Sequence, residues 1–288
     1  PRRLSPFTVP KLMVNAGAGN VSIRFNLRGV NSSPATACAT GGHALAEAFM
    51  FIAGGHADFI LAGGAEAAVS PVCVSSFSAM KALSTRNDVP ALASRPFDRD
   101  RDGFVLAEGG AALAVESLEH AQARGANIIA ELLSFGISGD AGHIAAPDAH
   151  GTGAKAAMTS ALTYANINAT DVDYINAHGT STPLGDTAEV AAVKDLFGEH
   201  AYDLAMSSTK SCTGHTLGAA GGLESIAVVK AICDGVIPPT INLDQPDEGF
   251  DLNFVANEAQ EREINCALNN SFGFGGHNVS IAIAAFKD

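Results

Sequence analysis

Cys38 is the first residue whose surroundings indicate chemistry, because it lies in a run of small residues, Thr36-Ala37-Cys38-Ala39-Thr40-Gly41-Gly42. Apolar residues then recur at helical spacing from His43 to Ile52, which predicts a strand, a tight turn and a helix whose first turn carries the cysteine. A thiol there faces the positive end of the helix dipole, which favours the thiolate and makes the sulfur a nucleophile for carbon. The alternative is a buried structural cysteine.

Three further polar clusters each follow a predicted strand. They are NAHGTSTPLGD around His178, SSTKSCTGH with Lys210 and His215, and NNSFGFGGHN with Phe272 and Phe274. Open α/β sheets place ligand-binding groups at strand ends, and aromatic residues among glycines are typical of a movable lid. Taken singly, the clusters also fit a structural histidine, a solvated lysine and a tight strand connection. Together, one thiol, two histidines and a lid indicate thioester chemistry.

The elements that must position these clusters alternate along the chain. The predicted first series contains strands at 57–64, 104–115 and 128–137, and the second series starts after a connection at 139–152. Alternation of strands and helices predicts mainly parallel sheets with helices on both faces, and the first series lacks an opening strand and helix. The charged run Arg95–Gly103 is predicted to be a solvated or subunit-facing loop, since the glycine and glutamate spacing of an EF-hand is missing.

Composition limits the classes of function. The 288 residues are 47% hydrophobic, enough for a large core, and carry a formal charge of −13, which argues against nucleic-acid binding. Five cysteines without paired spacing favour a reducing compartment over disulfides or a zinc site. No apolar run is long enough for a membrane span and no signal or transit peptide is visible, although a first residue other than Met leaves a processed or truncated start open.

With these motifs in hand, the chain resembles β-ketoacyl-[acyl-carrier-protein] synthases of the elongating KAS II type, which are thiolase-like condensing enzymes. The resemblance is carried by TACATG at Cys38, NAHGTSTPLGD at His178, SSTKSCTGH at Lys210 and His215, and NSFGFGG at Phe272 and Phe274. It implies an α/β fold of layered αβαβα architecture with two related halves, the first half being incomplete here. Residues 1–150 would be the remainder of the N-terminal half with Cys38, and residues 151–288 the C-terminal half with His178, Lys210, His215 and the Phe274 lid.

The resemblance also implies a decarboxylative Claisen condensation in fatty-acid elongation. Cys38 would take the acyl group, with an oxyanion hole formed by the N–H groups of Cys38 and Phe274, and His178 and His215 would donate hydrogen bonds to the malonyl thioester oxygen. Lys210, paired with Glu224, would hold His215. The substrate-binding residues implied by position are Thr180, Thr182, Phe272, Phe274 and Glu224.

Partners follow from the same resemblance. They are acyl-carrier protein, which brings substrates on its phosphopantetheine, and a second copy of the chain, with no nucleic acid, no membrane, no metal and no other cofactor. Arg2, Arg3 and Lys81 are the candidate docking residues for the acidic carrier protein, the alternative being solvated surface charges. The expected compartment is the bacterial cytoplasm or an organelle matrix, either mitochondrion or plastid.

Two departures and two alternatives accompany this interpretation. Family members continue upstream of Pro1, so the chain is expected to be a fragment or one piece of a cleaved enzyme, and His277 replaces the threonine usual in GFGGTN. One alternative is a ketosynthase-like fragment or partner subunit without activity of its own. The other is a polyketide ketosynthase, although TACATG and NAHGTST differ from the TACSSS and EAHGTGT that are frequent in that class.

Overall fold

The computed structural model describes residues 4–287, in which helices and strands alternate along most of the chain. The helices are α1 (Thr8–Leu12), α2 (Ala16–Phe25), α3 (Thr40–Ala53), α4 (Pro71–Ala79), α5 (Leu118–Ala123), α6 (Thr152–Ala165), α7 (Pro183–Phe197), α8 (Lys210–Thr213) and α9 (Ala220–Asp234). The strands are β1 (Phe59–Glu66), β2 (Gly109–Glu116), β3 (Glu131–Gly139), β4 (Tyr174–Asn176), β5 (Ala205–Ser207), β6 (Val236–Ile237), β7 (Gln260–Glu261), β8 (Cys266–Gly273) and β9 (His277–Ala284). Short 3-10 turns lie at Ala37–Ala39, Pro90–Leu92, Ala169–Asp171, Gly198–Tyr202 and Leu217–Ala219.

The main sheet has five strands in the order β3-β9-β8-β4-β5. The pairs β8–β4 and β4–β5 are parallel, whereas β3–β9 and β8–β9 are antiparallel. The expectation of mainly parallel sheets is therefore wrong. Only three residues join β8 to β9, which is enough for a hairpin but far too short for the crossover that parallel strands need.

Four layers stack around two apolar cores. Helices α6 and α7 cover one face of the main sheet, and α3 and α9 cover the other, where they also pack against the antiparallel pair β1–β2. The cores lie on either side of the main sheet, one around Met158 and Phe197 and the other around Leu45 and Val228. The α/β layered fold is thus confirmed, and the sheet of the first series has only two strands, β1 and β2.

The two-stranded sheet β1–β2 is less buried than the apolar sequence of β1 predicts. The sequence of β1 indicates a buried strand, yet Phe59 and Leu61 are each 40% exposed, because nothing within residues 4–287 covers their face. The strand β3 also differs from expectation, since it pairs with β9 in the main sheet rather than with the first series. We therefore propose that the two halves divide between α5 and β3, not at residue 150.

The charged segment Arg95–Gly103 is not a solvated loop. Arg95, Asp98 and Arg101 are each at most 6% exposed, and they form a buried network. Asp98 binds the guanidinium of Arg95 at 3.1 Å and accepts from the backbone N–H groups of Asp244 and Gln245. Burial is affordable here because opposite charges and backbone donors satisfy one another, which the local sequence does not reveal.

None of the helices in residues 4–287 has the length and apolar content needed to cross a membrane.

Candidate active site

Three of the four motifs meet because their strands are neighbours. His178 follows β4, Lys210 and His215 follow β5, and Phe274 follows β8. These three strands run parallel and adjacent to one another, so their carboxyl ends lie at the same edge of the main sheet. The sheet topology alone therefore brings the two histidines and the lid together.

Cys38 reaches the same edge from the helix layer below. It lies in the 3-10 turn Ala37–Ala39 that precedes α3, and Ala37 has a φ of 51°, a left-handed conformation that is costly for a residue with a side chain. The residues before this turn form no strand, so the predicted strand before Cys38 is wrong.

The end of strand β8 packs directly against the backbone of the turn that carries Cys38. A Cβ atom on Gly273 would lie 2.4 Å from the carbonyl oxygen of Thr36 and 3.2 Å from the backbone nitrogen of Cys38. Only glycine permits this approach. The N–H of Phe274, the next residue, donates to no acceptor within residues 4–287. Because Gly273 contacts the Cys38 turn, this N–H and the backbone N–H groups of that turn are donors in the same part of the site.

Two buried carboxylates hold the His178 loop from beneath. The N–H groups of His178 and Gly179 donate to the two oxygens of Glu189 at 2.9 and 2.8 Å, and Asn270 donates to the same carboxylate at 3.2 Å. Asp186, three residues earlier on α7, accepts from the N–H groups of Phe97 and Ser181. This spacing places both carboxylates on one face of the helix. Burial raises the pKa of Asp186 to about 6 and that of Glu189 to about 7.

The His215 loop is held by a strand-like backbone contact and by an ion pair behind it. The N–H of His215 donates to the carbonyl of Val105 at 2.7 Å, and its carbonyl accepts from Ala107 at 3.0 Å. Lys210 and Glu224 form a buried ion pair, as the sequence predicts. Neither residue lines the cavity, so the pair lies behind its wall, and the substrate-binding role of Glu224 stays a prediction.

A cavity of about 560 Å³ joins these parts. Cys38, His178 and His215 all line it, and their neighbours are largely apolar, including Phe77, Met80, Phe104, Phe272 and Phe274. The two imidazole rings meet edge to face with centroids 5.4 Å apart, and Phe272 lies 5.7 Å from His178. The hydroxyls of Thr180 and Thr182 lie 2.9 Å apart on the same wall.

Burial decides the protonation of the nucleophile. It raises the pKa of the Cys38 thiol to about 12, although the positive charge of Lys210 opposes the rise. Burial therefore favours the thiol in the resting site over the thiolate expected from the sequence. The dipole of α3 does not compensate for the loss of water around the sulfur. A proton acceptor is consequently needed when the substrate arrives.

The imidazoles are neutral at physiological pH. Burial, followed by the charge of Lys210, lowers the pKa values of His178 and His215 well below the ordinary value for histidine. The Nδ1 atom of each ring is buried without a hydrogen-bond partner among the described residues. Each neutral ring has one nitrogen that carries a proton and one that accepts, so either can donate or receive a hydrogen bond in the cavity.

The remaining predicted residues fall at the edges of the site or outside it. Lys81 is exposed and lies at the rim of the cavity, whereas Arg2 and Arg3 lie outside the described residues. Sequence reasoning missed Glu189 and the burial of Arg95, Asp98 and Arg101. The only sequence signal for Glu189 is that it lies three residues after Asp186, the last residue of NAHGTSTPLGD.

Comparisons with known proteins agree with this geometry. The β-ketoacyl synthase N-terminal domain matches residues 1–121, and the β-ketoacyl synthase C-terminal domain matches residues 129–244. The chain is 52% identical over 288 residues to 3-oxoacyl-[acyl-carrier-protein] synthase 2 of Coxiella burnetii, covering all of this chain and 70% of that protein. It is 50% identical over 287 residues to the synthase of the same name from Staphylococcus aureus, covering all of this chain and 69% of that protein.

Solved structures share the fold closely. A β-ketoacyl synthase from Burkholderia phymatum superposes with a TM-score of 0.92 at 39% identity, covering 99% of this chain and 68% of that chain. A ketosynthase bound to the hexaketide, in complex with its type II polyketide acyl-carrier protein, superposes with a TM-score of 0.97 at 37% identity, covering all of this chain and 71% of that chain. On its two domain matches and its identity to these relatives, the chain belongs to the β-ketoacyl synthase family.

Proposed function

We propose that the chain carries the active site for condensing an acyl thioester with malonyl-acyl-carrier protein, giving 3-oxoacyl-acyl-carrier protein and CO2. The observation that carries the proposal is that Cys38, His178 and His215 line one apolar cavity. A thiol and two neutral imidazoles in such a cavity suit a reaction that forms a thioester and then stabilises an enolate.

The first half of the reaction is acyl transfer to Cys38. The sulfur attacks the acyl thioester, the thiol proton passes to a neutral imidazole, and the phosphopantetheine thiol leaves with a proton. Negative charge on the tetrahedral oxygen is stabilised by the N–H groups of Cys38 and Phe274, which act as the oxyanion hole. Because the pKa of Cys38 is about 12, this proton transfer is a required part of the step.

The second half is decarboxylation and condensation. The malonyl C–CO2 bond breaks, and its electron pair forms an enolate whose oxygen accepts hydrogen bonds from His178 and His215. The enolate carbon attacks the acyl carbonyl, and Cys38 leaves as a thiolate that regains a proton. Lys210 supports this step from behind the cavity, because its charge adds to burial in keeping the imidazoles neutral, and Glu224 is its ion-pair partner.

Fatty-acid elongation is the context that the relatives support. Identity to the two synthases of that name is 50–52%, whereas the polyketide ketosynthase is 37% identical. The motifs TACATG and NAHGTST favour the same assignment. The polyketide alternative differs from fatty-acid elongation in the length of the product chain.

Partners and surroundings follow as further proposals. Acyl-carrier protein is the expected partner, bound near Lys81, and its phosphopantetheine arm is expected to contact Thr180 and Thr182. We expect a homodimer, since Phe7 just before α1, Leu12 in α1 and Ile23 in α2 are 65%, 77% and 82% exposed, and sedimentation velocity would measure it. We expect no metal or redox cofactor in the condensation, and the bacterial relatives favour a bacterial cytoplasm over an organelle matrix.

Two separate half-reaction assays test the function. Mass spectrometry measures acyl transfer from acyl-carrier protein to Cys38, and release of labelled CO2 measures decarboxylation of malonyl-carrier protein. Cys38→Ala should abolish the acyl adduct, while His178→Ala should retain it and lose condensation. Chain length of the product separates fatty-acid elongation from polyketide synthesis.

Cys212, which is exposed, supplies a matched control. Cys212→Ala removes a thiol of the same chemistry outside the cavity and should leave both half-reactions unchanged. Acyl transfer that persists in Cys38→Ala would reject the proposed nucleophile. A wild-type chain that is acylated but never condenses would support the alternative of a subunit without activity of its own.

A further inference from the structure

Ser181 is the one residue of the Thr180–Thr182 turn that does not line the cavity. Its two neighbours do, whereas Ser181 is fully buried. Its φ is 69°, a left-handed conformation that residues with side chains adopt only when their surroundings enforce it.

Three hydrogen bonds enforce that conformation. The N–H of Ser181 donates to Asp186 at 3.2 Å, and its carbonyl accepts from the N–H of Gly103 at 2.9 Å. Its hydroxyl oxygen accepts from the N–H of Arg95 at 3.0 Å. Two of the three partners belong to one segment, residues 94–105, which we call the strap. The strap therefore holds the turn that follows His178 in place.

The same strap holds the loop that carries the second histidine. The hydroxyl of Ser94 donates to the carbonyl of Lys210 at 2.8 Å, and the carbonyl of Val105 accepts from His215 at 2.7 Å. The ring of Phe104 meets the imidazole of His215 edge to face at 5.2 Å. Both histidine loops are thus attached to one continuous stretch of backbone.

The strap itself is rigid. The ring of Phe97 is fully buried and stacks on Phe254 at 4.4 Å, and its N–H donates to Asp186 at 2.9 Å. Arg101 lies 3.5 Å from the same carboxylate. A stretch anchored by a stacked aromatic ring and by buried ion pairs sets a fixed separation between whatever is attached to it.

We propose that Ser181 is a positioning residue that fixes the His178 imidazole relative to the His215 imidazole by tying its turn to the strap. The proposal rests on the function proposed above, in which both imidazoles must reach one enolate oxygen. Acyl transfer to Cys38 does not require both rings at once. Loss of the tether therefore lowers decarboxylation and spares acylation.

The test compares Ser181→Ala, Ser181→Gly and Ser94→Ala in the full chain. Ser181→Ala and Ser181→Gly both remove the hydroxyl, but only the glycine relieves the left-handed backbone. We expect both to lower the kcat for CO2 release about tenfold, with an unchanged KM for malonyl-carrier protein and with acyl transfer close to that of the wild type. Ser94→Ala should act in the same direction through the other loop.

The matched control is Ser134→Ala. Ser134 is also buried, and its hydroxyl bonds to a backbone carbonyl, that of Ala161, on β3 away from the cavity. This variant should lose stability without a change in either half-reaction. Equal loss of acylation and decarboxylation in Ser181→Ala, or full recovery of decarboxylation in Ser181→Gly, would overturn the proposal.

Histidine NMR gives a readout that does not need turnover. In selectively labelled protein, Ser181→Ala should shift the ring resonances and the titration midpoint of His178, and Ser134→Ala should leave both in place. Unchanged His178 signals in Ser181→Ala would overturn the positioning role even if the wild type does not condense. Wild-type inactivity with shifted signals would instead reject only the proposed function.

Discussion

Two physical effects shift the pKa of the Cys38 thiol in opposite directions, and the effect of burial is the larger. The turn before α3 offers backbone donors and a helix end, both of which favour a thiolate. The apolar cavity removes water from the sulfur, which disfavours the charge and raises the pKa of the thiol to about 12. The resting enzyme therefore protects its nucleophile until a substrate and an imidazole are present together.

Alkylation by iodoacetamide measures this balance. The rate of labelling at Cys38 should keep rising with pH up to pH 10, because the thiolate fraction continues to grow below a pKa of about 12. The exposed Cys212, labelled in the same sample and read by mass spectrometry, is the internal reference for reagent activity. A plateau for Cys38 below pH 8 would show instead that the helix end stabilises the thiolate.

The raised pKa of Glu189 predicts a pH-dependent contribution to stability. The folded protein holds the Glu189 proton up to about pH 7, whereas the unfolded chain releases it near the ordinary value of 4.5. The contribution of this group to the free energy of unfolding is therefore present below pH 4.5 and is lost as the pH rises through 7. The expected loss is on the order of 3 kcal/mol.

Glu189→Gln isolates this group from the buried histidines, whose lowered pKa values act in the opposite sense. The difference in unfolding free energy, variant minus wild type, should rise between pH 4.5 and pH 7 in urea titrations. A difference that stays flat over this range would mean that Glu189 is ionised in the folded protein throughout. Asp195→Asn, at an exposed position on the same helix, is the control.

The predictable and unpredictable residues separate for physical reasons. Cys38, His178 and His215 are recognisable from sequence because each lies in a local motif of small or polar residues at a strand or helix end. The ionisation of Cys38 is not recognisable, since it depends on every apolar side chain around the cavity. Arg95, Asp98 and Arg101 look like a solvated charged run because their partners near residues 181–186 and 244–247 are distant in sequence.

At the scale of elements, the contact between α3 and α9 fixes the nucleophile relative to the loop of His215. A Cβ on Gly41 would lie 2.6 Å from the backbone nitrogen of Gly222, and one on Gly221 would lie 2.5 Å from that of Gly42. The two helices therefore meet backbone to backbone. The glycine pairs 41–42 and 221–222 are visible in the sequence, but their contact with each other depends on the layer order.

Gly41→Ala tests this contact. The added methyl group has only rigid backbone to displace, so we expect a loss of about 2–4 kcal/mol in unfolding free energy together with reduced acyl transfer. Gly17→Ala is the matched control on α2, where a Cβ would meet nothing within 4 Å and should stabilise by about 0.5–1 kcal/mol. Equal stability of the two variants in thermal or urea unfolding would contradict the close crossing.

At the scale of the whole molecule, the acidic chain must attract an acidic partner. A formal charge of −13 repels carrier protein at long range, so association needs a local basic surface at the mouth of the cavity. Lys81 lies at that rim, and Arg2 and Arg3 remain predictions for the same surface. The sequence predicts the need for such a patch, but only the cavity shows where its mouth is.

Charge reversal distinguishes docking from catalysis. Replacing Arg2, Arg3 and Lys81 by Glu should raise the KM for acyl-carrier protein by about tenfold at low salt and leave that for a small acyl thioester unchanged. Lys230→Glu, an exposed reversal on α9, controls for net charge. An equal effect on both substrates would show that these residues act on the site and not on the partner.

The glycine contact between α3 and α9 also limits how this catalyst can be re-engineered. No side chain lies between the two helices where they touch, so no residue there can be made smaller, and a larger one would clash with backbone. A mutant library at this contact would therefore yield mostly misfolded protein. Variation in acyl preference has to come from side chains that line the cavity, such as Phe77, Met80 and Leu184. Cys38 and the His215 loop keep their relative position in such variants, because the contact between the two helices is unchanged.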